Sequence, residues 1–207
     1  MKEFRVGRKG EAIYEQQIPI IKSKHPSWCG YATTGMGTQS LGYAEVTPEK
    51  IFEKVHNETY NEQEERSRDA SETLKRRKHP GATHLAAVVT DLTDLEVRVY
   101  DKEKYEKLQV NKPNITPFDV LHAQFFGNDA RLVLRLPYHF NILKRITLPP
   151  GEYGDAINDA TYTCIDPMTQ REITRNRETL DRYWGEEEKG YPEKSARHLM
   201  LAMYKKK

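Results

Sequence analysis

Along the first 46 residues the apolar positions come only in short runs. Ile18-Pro19-Ile20-Ile21 is one of them, and its proline predicts an edge strand or an extended arm. The segment Gly30 to Gly42 is rich in glycines and hydroxyl residues and predicts a loop or a bulged strand. Helix punctuation then appears at Thr47-Pro48-Glu49, where Thr can cap and Pro suits the first helical position. Ile51, Phe52, Val55 and Tyr60 fall near helical spacing, and Ala70 and Leu74 resume the stripe before Lys75-Arg76-Arg77-Lys78. A helix from 48 to about 78 would run roughly 45 Å. Its middle, Asn61 to Asp69, carries no apolar residue, so it is solvated there or broken.

Residues 83–100 predict a β-hairpin. Leu85-Ala86-Ala87-Val88-Val89 is apolar on both faces, as in a central strand, and Leu95, Val97 and Val99 alternate with polar partners after a turn at Asp91–Asp94. Asp101 to Lys107 predicts a helical turn or a loop. Thr116-Pro117-Phe118-Asp119 repeats the cap-and-proline device and opens a short helix closed by Gly127. Arg131–Leu136, Ile142–Leu148 and Ala160–Ile165 predict strands. Beyond Pro167 the pattern turns helical, with Ile173, Leu180 and Trp184 on one helix and Ala196, Leu199, Met200 and Met203 on another.

These elements predict an α+β fold. Its sheet is mixed or mostly antiparallel, joined by a long charged helix and a short capped one. An α+β domain over 1–166 would carry a helical C-terminal appendage over 167–207.

Composition narrows the class. Of 207 residues, 37% are hydrophobic, against about 45–50% in soluble domains, and 31% are charged. That balance predicts a thin core under a large polar surface. Lys+Arg 33 against Asp+Glu 31 leaves +2, far from the excess of a protein built to wrap a polyanion. Mean hydropathy is −0.84, and no apolar stretch is long enough to cross a bilayer. Residues 1–6 lack the apolar run of a signal peptide, so the expected location is the cytoplasm or an assembled particle. Cys29 and Cys164 have no CxxC partner and are expected to be free, buried thiols.

Local motifs for chemistry are weak. Gly30 and Gly35 have P-loop spacing, but Met36 stands where Lys must be. The seven histidines show no HxH or HxxxH pair, and no metal site is expected. There is no GxSxG elbow, and Cys29, between Trp28 and Gly30, lacks a local signature of activation. Asp91, Asp94 and Glu96 sit near a predicted strand end with Lys102 and Lys104 nearby. This pattern is similar to the carboxylate-and-lysine sites that hold Mg²⁺ in nucleases, although hairpin turns favour Asp anyway. Two basic clusters could meet phosphates: Lys75, Arg76, Arg77 and Lys78, and the face shared by Arg171, Arg175 and Arg182 on a predicted helix. Their acidic neighbours equally allow simple ion pairing.

With no catalytic motif, a thin core and exposed helices, the sequence favours a structural or interaction subunit of a larger assembly, such as a viral or phage particle. Its partners would be further copies or other subunits, with no membrane and no cofactor. The first alternative is a Mg²⁺-dependent phosphodiesterase or nuclease acting through Asp91, Asp94 and Glu96. The second is a nucleic-acid binder using the basic clusters.

Overall fold

The computed structural model describes residues 2–57, 81–136, 139–151, 156–185 and 200–206. The fold is α+β. An antiparallel sheet contains β1 (Lys2–Val6), β2 (Ala12–Gln16), β3 (Glu96–Tyr100), β4 (Arg131–Leu136), β5 (His139–Leu148), β6 (Thr161–Asp166), β7 (Arg171–Asn176) and β8 (Met200–Tyr204). The order is β1-β2-β5-β4-β8-β3, with β6 joined to β5 and β7 joined to β6. Strand β5 is the hub: it pairs with β4 through its first half, with β2 through its last residues, and with β6 along its length.

Both faces of the central strands are buried. On β4, Val133 belongs to one apolar cluster while Leu132 and Leu134 belong to the other. On β8, Leu201 and Met203 face the first cluster, and Met200, Ala202 and Tyr204 the second. Against the first face pack α1 (Cys29–Ser40), α2 (Pro48–His56) and α3 (Ala82–Leu92). The second is covered by α4 (Lys102–Asn111), α5 (Pro117–His122), its π-turn continuation Ala123–Gly127, and α6 (Arg177–Gly185). The chain thus builds two apolar layers around one sheet rather than the single thin core expected from composition.

The predicted caps are present. The Thr47 side chain accepts from the Lys50 N–H, and Thr116 with Asp119 forms a complete capping box. Strands β4, β5 and β6 lie where strands were predicted, β5 beginning three residues earlier, at His139.

Four segments differ. Residues 29–40 are a buried helix instead of a loop, and 82–92 are a helix instead of a strand. In α3 the buried positions Ala82, Leu85, Val88 and Val89 recur at helical spacing, so one helix face, not a strand, is buried. Residues 171–176 form strand β7 before the helix begins. Met200–Tyr204 is a strand between β4 and β3, so the tail expected to be helical contributes two strands. A five-residue run buried on both sides has no period, and the apparent helical spacing there was coincidental. Of the long charged helix, 48–56 is observed; 58–80 lies outside the described residues.

Candidate active site

Helix α1 has a composition that hides it. Cys29 to Thr38 are all buried, yet the segment contains few large apolar side chains. Its glycines let the backbone approach its neighbours. A Cβ at Gly30 would lie 3.3 Å from Leu85 and 3.4 Å from the Phe140 ring, and one at Gly35 would lie 3.2 Å from Pro48. The threonines need no external partner for their hydroxyls: Thr33 Oγ1 donates to Cys29 O at 2.8 Å and Thr38 Oγ1 to Thr34 O at 3.1 Å. Small residues and self-satisfied hydroxyls thus make a helix that fits flush against β5 and β4.

Cys29 opens this helix. Neither the turn Pro26–Trp28 nor the start of α1 carries a side-chain cap. Trp28 is buried and stacked on Phe52, with ring centroids 4.8 Å apart, which fixes the residue before the thiol. Upstream, Ser23 N–H donates to Pro167 O at 2.8 Å, tying this segment to the turn after β6.

Asp166 is the last residue of β6, just before that turn. His139, the first residue of β5, places Nε2 2.8 Å from Asp166 Oδ1. The Met168 N–H donates to Asp166 Oδ1 at 2.8 Å, and Thr169 Oγ1 donates to Oδ2 at 3.0 Å. Burial alone would raise this carboxyl, but the Met168 amide, the His139 ring and the Thr169 hydroxyl hold it below the ordinary range. Both Asp166 oxygens are therefore engaged, and the imidazole is oriented through Nε2.

Cys29 meets this pair through the backbone. Backbone N–H groups of Phe140 (the residue after His139), of Gly30 and of Cys29 itself favour the thiolate. Burial is the largest influence on the thiol and raises its pKa; the three amides oppose it, and the Asp166 carboxylate reinforces it. Cys29 is fully buried, whereas the His139 side chain is 25% exposed, so the site is approached over the imidazole. Cys164 lies on β6 in the opposite apolar layer, where complete burial pushes its thiol up to about 12. Both thiols are free.

Cys29 lacked a local signature of activation, and neither His139 nor Asp166 stood out as its partner, because the three belong to separate segments. The available signal was a Cys-Gly pair with a His and an Asp far downstream, a pattern that gains meaning only when the fold brings the three together.

The residues that were singled out do not converge. Asp91 lies on α3 and pairs with Lys54 at 3.3 Å, Asp94 lies in the exposed turn after it, and Glu96 on β3 accepts from Tyr204 OH at 2.7 Å and from Arg98. Hydrogen bonds from Tyr204 and then Arg98 hold the Glu96 carboxyl low. The hairpin that would have aligned the three acids is a helix and a strand. Among the described residues, no three His, Cys, Asp or Glu side chains are grouped to hold a metal ion. Arg171 and Arg175 are on strand β7 and Arg182 on α6, so they share no helix face. Lys75, Arg76, Arg77 and Lys78 lie outside the described residues. Among the described residues, no helix is long and apolar enough to cross a membrane.

No protein-family model and no curated protein sequence matches the chain. Among solved structures it is similar to a double glycine motif protease from an AMS/PCAT transporter, in complex with the leader peptide. That likeness has 16% identity and a TM-score of 0.44, over 99% of each chain. It is also similar to UfSP from C. elegans, at 11% identity and a TM-score of 0.48, over 93% of this chain and 34% of that one. At these TM-scores neither likeness bears on mechanism. The expectation of a structural subunit or virion component without a catalytic motif is corrected by the His139–Asp166 pair, whose carboxylate acts on the Cys29 thiol, and the nuclease alternative fails because Asp91, Asp94 and Glu96 do not converge.

Proposed function

We propose that this chain is a cysteine-nucleophile acyl hydrolase of peptidase type. The observation that carries the reading is the His139–Asp166 pair beside a thiol at the start of a buried helix, linked to it by the Phe140 amide.

Each group has a role. Asp166 engages Nε2, which leaves His139 Nδ1 as the ring nitrogen to receive the thiol proton. The Cys29 sulfur attacks the substrate carbonyl carbon, and the C=O π pair moves to oxygen. The uncapped first amides of α1 are donors for that developing oxyanion, and the positive end of the helix favours it. The imidazolium then gives its proton to the departing amine or alcohol as the acyl–heteroatom bond breaks. Water, activated by His139, hydrolyses the thioester and restores the thiol. Asp166 keeps the ring in one orientation and stabilises its cationic form. A free thiol nucleophile suits a reducing compartment such as the cytoplasm.

The test is hydrolysis of an activated ester and of a mixed peptide library, with mass spectrometry of the acid-quenched enzyme. The expected result is a thioester mass on the peptide containing Cys29, lost in Cys29→Ser and His139→Ala and kept in Cys164→Ser. Turnover that survives in folded Cys29→Ser overturns the assignment.

A further inference from the structure

The other end of α1, about 17 Å from Cys29 at 1.5 Å per residue, opens onto a separate cavity. Its volume is about 280 Å³, and it is lined by Ser40, Asn128, Asp129, Arg131, Lys205 and Lys206. We propose that this cavity binds a phosphate-type oxyanion, free or as the phosphoryl group of a small molecule.

The floor is Arg131, only 1% exposed. Its Nε donates to Ser40 Oγ at 2.8 Å, and its Nη1 donates to Asp129 O at 2.8 Å and to Asp129 Oδ1 at 3.3 Å. These bonds hold the guanidinium plane against the end of α1. Among the described residues Nη2 has no acceptor, so a buried, oriented cation presents an unspent donor to the cavity. The rim adds Lys205 and Lys206, both exposed, with Lys205 Nζ lying over Gly42. Three cations therefore face one carboxylate, that of Asp129, whose side chain is 45% exposed and half in water.

A helix C-terminus ordinarily repels an anion. Here its last carbonyls are occupied: Thr38 O accepts from the Leu41 and Tyr43 N–H groups, and Gln39 O from the Gly42 N–H. The negative end is thereby muted, and the Arg131–Lys205–Lys206 field dominates. A fixed planar donor below and two exposed ammonium groups above suit a tetrahedral dianion. The volume leaves room for a small substituent beyond the phosphoryl group.

The test is calorimetric titration with inorganic phosphate and with phenyl phosphate at constant ionic strength, with chloride as the control. The wild-type chain is expected to bind phosphate saturably. Lys205→Gln/Lys206→Gln, at exposed positions that leave Arg131 untouched, is expected to weaken binding about tenfold. Asp129→Asn is expected to strengthen it about fivefold, because removing the competing carboxylate leaves the fold intact. Asp129 has φ of 51°, a conformation Asn tolerates as well. Equal affinity for the two probes identifies the free anion as ligand; tighter binding of phenyl phosphate identifies a phosphorylated small molecule. Absence of saturable binding in both the wild type and Asp129→Asn overturns the proposal, as does unchanged affinity in the double lysine variant. Cys29→Ser is expected to bind phosphate normally, which separates this site from the acyl-transfer reading.

Discussion

His139 Nε2 lies 2.8 Å from Asp166 Oδ1, joining the first residue of β5 to the last residue of β6. Strands β5 and β6 pair from Ile142–Ile165 to Thr147–Thr161 with a register shift between Leu143 and Arg145, so the pair sits just past the laddered region. The same end of β5 receives the start of α1, with the Phe140 ring against Gly30 and the Phe140 amide against the Cys29 thiol. Ring orientation and thiol placement therefore depend on one strand end.

Replacing Asp166 by Asn removes the charge that favours the imidazolium and lets the ring take either tautomer. The expected loss in kcat/KM is about 10²-fold with little change in KM, and the alkaline limb of the pH profile should change shape. Circular dichroism should show an intact fold. Because the Asp166 carboxyl is held below its ordinary range, its contribution to stability is present above the unfolded-state pKa. It is lost as pH falls through the folded value. An Asp166→Asn variant should therefore lose stability at neutral pH and less in acid.

His122 is a buried histidine remote from the thiol. Its Nε2 is 2.9 Å from Tyr162 OH, and burial pushes its pKa down to about 4, with Asp119 opposing and Arg177 reinforcing the shift. The ring is neutral in the folded protein while the unfolded chain protonates near 6.5. The unfolded state thus binds the extra proton between those values, and stability should fall as pH drops from about 6.5 towards 4. Urea denaturation across this range should show the decline, and His122→Phe should flatten it. An equal slope in both proteins would assign the effect elsewhere.

Gly37 tests why α1 lacks large side chains. A Cβ there would collide with the terminal methyl of buried Met203 and approach Ile142 to 3.4 Å and the Arg131 Cβ to 3.5 Å. Ala would gain helix propensity against that contact. The flexible end of Met203 can shift to admit Ala, but the branched side chain of Gly37→Val also presses on Ile142 and the Arg131 Cβ and should cost about 1–3 kcal/mol by overpacking. Thermal denaturation measures the loss.

The two thiols should separate chemically. Cys164 is sealed in the apolar layer behind the sheet with its pKa pushed up, so its alkylation should track global unfolding. Cys29 is also buried, but beside the part-exposed His139 and the amides that open α1. Time-resolved iodoacetamide labelling with peptide mapping should modify Cys29 first under native conditions. Prior labelling of Cys164 would contradict the assignment of the nucleophile.

The legible parts of the chain were those whose signals are local. Thr47-Pro48 and Thr116-Pro117 announced helix starts because a hydroxyl cap and a proline act within one turn. The β4 and β5 segments were readable from length and apolar content. Residues 29–40 were not, because Gly and Thr disfavour an isolated helix, and only close packing on β5, β4, α2 and α3 repays that preference. Leu85–Val89 and Met200–Tyr204 exchanged their expected states for one reason: a short apolar run is compatible with a buried strand or a helix face.

By itself, then, the sequence determined the α+β class, the capped helix starts and the strands 131–136, 142–148 and 160–165, all set by interactions within a few residues. Only the tertiary structure decided that β8 lies between β3 and β4, that α1 is buried, and that His139 meets Asp166 while the Phe140 amide and the Asp166 carboxylate act on Cys29. The three site residues are 110 and 27 positions apart along the chain, counting from 29 to 139 to 166. No spacing rule reaches that far, and their meeting depends on the strand pairing that sets β5 beside β6 and on the glycines that let α1 settle against it.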